Sequence, residues 1–136
     1  MSFSRIFVDT AYILALINPR DIHHQKALDL LPNLRIAHEV WITEAVLTEI
    51  GNALAKVNRF GAIRFIESCY VTKNINVVSI SSDLFDQAVK FYDAHKDKEW
   101  GLTDCISFIV MQEHGLMDAF TSDKHFQQAG FNALLR

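Results

Sequence analysis

Four acidic residues stand where a fold could use them for more than solubility: Asp9, Glu49, Asp104 and Asp123. Asp9 ends the apolar stretch Ile6, Phe7, Val8, and Asp123 follows Ala119, Phe120, Thr121 and Ser122. Asp104 opens the apolar run 105–111, and Glu49 lies next to Ile50 and three residues from Val46 on a helical pattern, bordering the stripe that faces a core. Carboxylates drawn together repel and raise one another's pKa unless a cation lies among them. With oxygen donors and no regularly spaced His or Cys, that cation is expected to be Mg2+ or Mn2+ rather than Zn2+. Such ions stabilise charge developing on a phosphoryl group and acidify water, so the set suits hydrolysis of a phosphodiester.

Each acid also has a simpler use. Asp9 can cap a helix starting near Ala11, and Asp123 can cap or turn the segment before "KHFQQ". Asp104, with Thr103 as N-cap, is favoured by the helix dipole. Glu49 can reach water along its stem, whereas a charge held at the core boundary needs a partner. Glu44, about 140° round the helix from Glu49, marks an exposed first turn. What favours a shared site is that one α/β fold would bring all four acids to one edge of its sheet.

The elements that must position them read as follows. Segments 5–9, 39–43, 75–80 and 118–122 are rich in β-branched or aromatic residues and read as buried parallel strands, and 131–135 as a fifth strand at an edge. Helical patterns cover 11–17, 22–31, 45–57, 62–71, 84–95 and 103–114; in the third, Val46, Ile50, Ala53 and Val57 recur as one apolar face. Pro19, Pro32, Gly61, Gly101, Gly115 and Gly130 punctuate the junctions. Strands separated by helices predict an α/β fold with a central, mainly parallel sheet of four to five strands flanked by helices. In such sheets ligands bind beyond the carboxyl ends of the strands, where Asp9 and Asp123 stand.

The chain has 136 residues, half of them hydrophobic, which predicts one domain spanning 1–136. A net charge of −3 does not advertise a nucleic-acid binder, although an acidic metal site would mask a local basic strip. No charged segment leads into a long apolar one at the start, and no run approaches the ~20 apolar residues of a membrane span. The expected location is a reducing cytoplasm, with Cys69 and Cys105 as small buried hydrophobes.

"FVDTAYILAL", "TEAVLTEIGNAL", "LTDCISFIVM" and "AFTSDKHFQQAGF" resemble the four acidic motifs of PIN-domain ribonucleases, in order and over essentially the whole chain. The last is the most specific; "VDT" alone would be weak. The chain is particularly similar to compact members, many of them VapC-type toxins of toxin–antitoxin pairs. The resemblance implies a metal-dependent endoribonuclease in which Asp9, Glu49, Asp104 and Asp123 bind Mg2+ or Mn2+ while Thr10 and Thr121 orient them. It further implies an RNA substrate, a cognate antitoxin and a homodimer. Ser122 is then a spacer, and His125 with Phe126 packs the following turn against the sheet, a general-base role for His125 being the lesser alternative. The rival reading is a non-catalytic PIN-fold binding module whose acids are caps. A haloacid dehalogenase phosphatase fits poorly, since "VDTAY" lacks a second Asp two residues after the first.

Lys56, Arg59, Arg64 and Lys124 are candidates to follow a phosphate backbone, with ordinary solvated surface as the alternative. Adjacent His23 and His24 point about 100° apart on a helix and make a poor metal pair. Leu28 and Leu31, with "FGAIRFIESCY", suggest a groove for a partner helix. The polar run 95–101 reads as a solvated loop, and its place before "LTD" leaves room for contact with substrate.

Overall fold

Ile6, Phe7 and Val8 are almost wholly buried, and their strand β1 (Arg5–Val8) is the centre of a five-stranded sheet. The computed structural model describes residues 3–136. After β1 come α1 (Thr10–Ile17), α2 (His24–Ile36), β2 (Glu39–Thr43), α3 (Glu44–Leu54), α4 (Arg59–Val71) and β3 (Ile75–Val78). The second half runs α5 (Ser82–Ala94), α6 (Leu102–Glu113), β4 (Asp118–Phe120), α7 (Lys124–Gln128) and β5 (Asn132–Ala133). The strands lie in the order β3-β2-β1-β4-β5, all parallel. The expected α/β class, parallel sheet and fifth edge strand are all present.

Strand alternation sorts the helices between the two faces. Phe7 sits beside Ala119 and Val8 beside Phe120 in the β1–β4 register. On the Phe7 face lie Phe126 of α7 (centroids 6.2 Å) and behind it Phe108 of α6 (5.0 Å from Phe126), with Trp100 and Phe131 completing an aromatic cluster. On the Phe120 face lies Tyr12 of α1, 5.0 Å away, its hydroxyl donating to the Ala27 carbonyl of α2. Burying such rings contributes roughly 2 kcal/mol or more each, so both layers are firmly seated.

Several expected boundaries move, for local reasons. Helix α2 runs through Pro32 instead of ending before it; Pro32 and Leu28, four residues apart, are both exposed, so the carbonyl losing its partner is on the watered face. Helix α3 stops at Leu54, leaving Val57 outside it and 78% exposed; its buried face is Val46, Leu47, Ile50 and Leu54, not the stripe through Ala53 and Val57. Gly61 is not a junction but lies in the first turn of α4, where the Asn58 side chain accepts its N–H at 2.9 Å; a Cβ there would meet Asn58 at 2.5 Å. Strand β3 is an edge strand, half-exposed rather than buried. The segment after Asp123 is a short helix, α7. Gly115 and Gly130 do punctuate, at φ +64° and +95°, where a Cβ would be strained.

Candidate metal centre

From β1 the chain builds outward through β2 to β3, then returns to place β4 on the other side of β1. The carboxyl ends of β1 and β4 therefore flank the point where strand order reverses, the usual ligand crevice of an open α/β sheet. Asp9 leaves β1 there, and its N–H bonds the Phe120 carbonyl at 3.2 Å. Alternation turns Asp9 and Thr121 to the Phe7 face, toward α6 and α7.

Asp9 occupies the N-cap position of α1, yet its side chain makes no capping hydrogen bond. The carboxylate turns instead to Thr121, 112 residues away, whose hydroxyl donates to Oδ2 at 2.7 Å. The same hydroxyl oxygen accepts the Asp123 N–H at 3.1 Å, so Thr121 fixes both acids from one buried atom. Asp123 does cap α7, accepting the His125 N–H at 2.8 Å, and so combines the local duty with a place in the cluster.

Asp104 comes from the N-terminus of α6, with Gly101 rather than Thr103 at the N-cap position. It accepts the Gly101 N–H at 3.2 Å, and its Oδ2 lies 3.0 Å from His125 Nδ1. His125 Nδ1 is also 3.4 Å from Asp123 Oδ1. Phe126 does pack against the sheet, but His125 does not: its ring joins the carboxylates. The missed signal is the Asp-x-His spacing at a helix start, where the capping bond to the His N–H keeps the imidazole beside the capping acid.

Glu49 is exposed, not at the core boundary, and comes from α3 on the opposite layer. Its Oε1 accepts the hydroxyl of Thr10, next to Asp9 in sequence, at 2.6 Å, and it is not part of the Asp104, Asp123 and His125 group. Glu44 is likewise misjudged as a solvated residue. It is half-buried, accepting the Tyr70 hydroxyl at 2.8 Å and the Ile80 N–H at 3.2 Å, and ties α3 to α4 and to the end of β3.

Asp9 is only 5% exposed. Burial first, and then the charges of Asp104 and Asp123, push its pKa up from 3.8 to about 7, against the Thr121 hydroxyl and the Thr10 backbone N–H. Burial and Asp123 also raise Asp104, opposed by His125 and the Gly101 N–H. Three carboxylates thus share one crevice with no lysine or arginine paired to them among the described residues. Oxygen donors that are crowded, oriented by hydroxyls and short of countercharge fit a divalent cation. Asp104, Asp123 and His125 offer ligand atoms all within 4.8 Å of one another.

Lys56, Arg59, Arg64 and Lys124 are all exposed; Arg59 bonds the Ala55 carbonyl and Arg64 lies over the Phe60 ring. His24 Nδ1 pairs with the Ala15 carbonyl, and Cys69 and Cys105 are buried. The run 95–101 is more than a solvated loop: Trp100 is buried and its indole donates to Gln128, and Gly101 holds Asp104. A cleft of about 240 Å³ beside it is lined by Asp97, Lys98, Glu99, Lys124, His125 and Gln128. An apolar cleft of about 440 Å³ is bordered by Leu14, Ile17, Leu54 and Val57, and the expected Leu28 and Leu31 do not line it. Among the described residues no helix is long and apolar enough to cross a membrane.

The family model of the PIN domain matches residues 6–132. The chain is 29% identical over 126 residues to the 23S rRNA-specific endonuclease VapC20 of Mycobacterium tuberculosis, covering 93% of this chain and 95% of that protein. The crystal structure of the M. tuberculosis VapC20, a Sarcin-Ricin loop cleaving toxin, superposes with a TM-score of 0.81 at 28% identity, covering 93% and 95% of the two chains. FitAcB from Neisseria gonorrhoeae (TM-score 0.63, 18% identity, 94% and 95% covered) and VapBC-1 from nontypeable Haemophilus influenzae (0.61, 20%, 97% and 99%) share the fold.

Proposed function

The chain belongs to the PIN-domain family, and from that premise we propose that it is a metal-dependent endoribonuclease, the toxin of a type II toxin–antitoxin pair. The observation that carries this is Asp9: a buried carboxylate that leaves its helix uncapped, turns to Thr121, and faces Asp104 and Asp123 with its pKa pushed up to about 7. No structural duty explains that arrangement, whereas a cation would relieve it. The nuclease domain is residues 1–136, and Asp9, Glu49, Asp104 and Asp123 hold Mg2+ or Mn2+, with Thr10 and Thr121 as positioning residues.

When bound, a divalent cation supplies stabilisation of developing phosphoryl charge and acidifies water. The chain's own part is orientation. Thr121 aims Asp9 and Asp123 together, Gly101 and His125 set Asp104, and Thr10 draws Glu49 in from the other layer. Exposed Lys124, with Lys98 across the adjoining cleft, offers positive charge for a phosphate backbone.

The relative's name makes 23S rRNA the first substrate to test, and its description as a toxin implies an antitoxin. The cleft between Leu14, Ile17, Leu54 and Val57, with Phe60 70% exposed nearby, suits the apolar face of such a partner. The exposed stripe Phe85, Val89 and Tyr92 on α5 suits a second copy of the chain, and the protein acts in the cytoplasm.

Purified protein is to be incubated with end-labelled 23S rRNA fragments and unrelated RNAs in Mn2+, Mg2+ or EDTA, beside Asp9→Asn prepared identically. Metal-dependent cuts that disappear in Asp9→Asn are expected. Equal inertness of both proteins, with no Mn2+ bound, would replace the nuclease by a binding module.

A further inference from the structure

We propose that His125 is itself a metal ligand, so that Asp104, Asp123 and the His125 imidazole form a mixed oxygen and nitrogen site for a first-row transition ion such as Mn2+ in preference to Mg2+. This rests on the reading of the chain as a metal-dependent nuclease and specifies which ion it takes. His125 Nδ1 lies 3.0 Å from Asp104 Oδ2 and 3.4 Å from Asp123 Oδ1. Adjacent ligands of an octahedral ion with bonds of about 2.1 Å stand about 3 Å apart. The nitrogen thus stands at a coordination-sphere spacing from Asp104 and slightly wider from Asp123, and the three ligand atoms all lie within 4.8 Å of one another.

The imidazole is held in place from several directions. Its backbone N–H is bound by Asp123 Oδ1 at 2.8 Å, and the following residue, Phe126, is fully buried among Phe7 and Phe108. The side chain is 18% exposed, and Asp104 opposite is anchored to the Gly101 N–H. A bound ion would take the Nδ1 lone pair, with the ring's hydrogen on Nε2; without an ion, a hydrogen on Nδ1 lets the same nitrogen donate to Asp104. Mg2+ takes oxygen ligands and keeps its water, while an imidazole nitrogen suits transition ions better. A nitrogen donor therefore tilts the site away from Mg2+.

The competing role is a hydrogen-bond donor that only orients Asp104. Pulsed electron paramagnetic resonance of the Mn2+-loaded full chain separates the two, because a ligating nitrogen couples to the Mn2+ spin. Labelling with 15N-histidine is expected to change that coupling in the parent with no mutation needed. Of the six histidines, His125 alone is grouped with carboxylates that could share an ion, among the described residues. His125→Asn is expected to lose the coupling and to weaken Mn2+ binding about 10-fold or more in titration calorimetry, with Mg2+ binding changed much less. Mn2+ binding and RNA cleavage without any nitrogen coupling in the parent would overturn the ligand assignment and leave the nuclease reading intact. No Mn2+ binding by the parent would overturn both.

Discussion

Where β2 and β3 end, the next helix starts on a hydroxyl that caps it: Thr43 accepts the Val46 N–H and Ser81 the Leu84 N–H, each at 3.1 Å. Where β1 ends, Asp9 holds the same N-cap position of α1, but its side chain makes no capping bond of that kind. An aspartate is as good a cap as serine, so the difference is not one of residue type. Two strand ends use neutral oxygens for local structure; the third sends a charge across the crevice to Thr121, at a burial cost visible in its pKa. A side chain that declines a favourable local role for a strained distant one marks where function outweighs stability.

That contrast is most sharply tested by removing the charge. Asp9→Asn is expected to lower metal-dependent RNA cleavage on the order of 10³-fold, as loss of several kcal/mol of charge stabilisation requires. A rate near the parent's in a gel-based cleavage assay would place the site elsewhere.

The next effect is on stability without divalent ions. Between its ordinary 3.8 and its folded value of about 7, Asp9 keeps a proton in the folded chain that the unfolded chain has released. Protonation therefore favours folding, and the contribution falls as pH rises through that window, by on the order of 4 kcal/mol, then levels off. Asp104, also raised, acts in the same direction. Urea unfolding in EDTA across the range should show this decline, and Asp9→Asn should flatten it; an equal slope in both proteins would assign the effect to other groups.

Thr121→Val keeps the shape of the side chain while leaving Asp9 Oδ2 without its donor and the Asp123 N–H without its acceptor. Roughly 10- to 100-fold weaker Mn2+ binding is expected, measurable by calorimetry. Unchanged affinity would make Thr121 a spectator.

The smallest effect belongs to the other strand end. Thr43→Ala removes the α3 cap and should destabilise the fold by about 1 kcal/mol while cleavage continues at the parent's rate. Lost activity in a protein that remains folded would erase the distinction between structural and functional ends.

Much of this was legible in the chain. Short β-branched and aromatic runs alternating with 3.6-residue periodicity suffice for a parallel α/β sheet, because both signals are local. The element ends are less so. Helix α2 passes through Pro32 and α3 stops before Val57, since solvation of one carbonyl or the start of the Asn58 cap decides them. Glu49 and Glu44 exchange their expected environments, because which of two acids on α3 meets a partner depends on Thr10, Tyr70 and Ile80, none of them near in sequence.

The sequence by itself determined which groups are available: carboxylates after two strands and at the start of an apolar helix, and the hydrophobic periods that force those segments into one sheet. Residue type and spacing carry that information, since pleat and helix repeat fix which side chains share a face. Only the tertiary structure decided how the groups are used. Thr121 faces Asp9 because β4 returns beside β1, and His125 enters the cluster because α7 closes over the aromatic layer beneath it. Distances between residues a hundred positions apart are set by sheet order and by packing of the two helical layers, and those are properties of the whole fold.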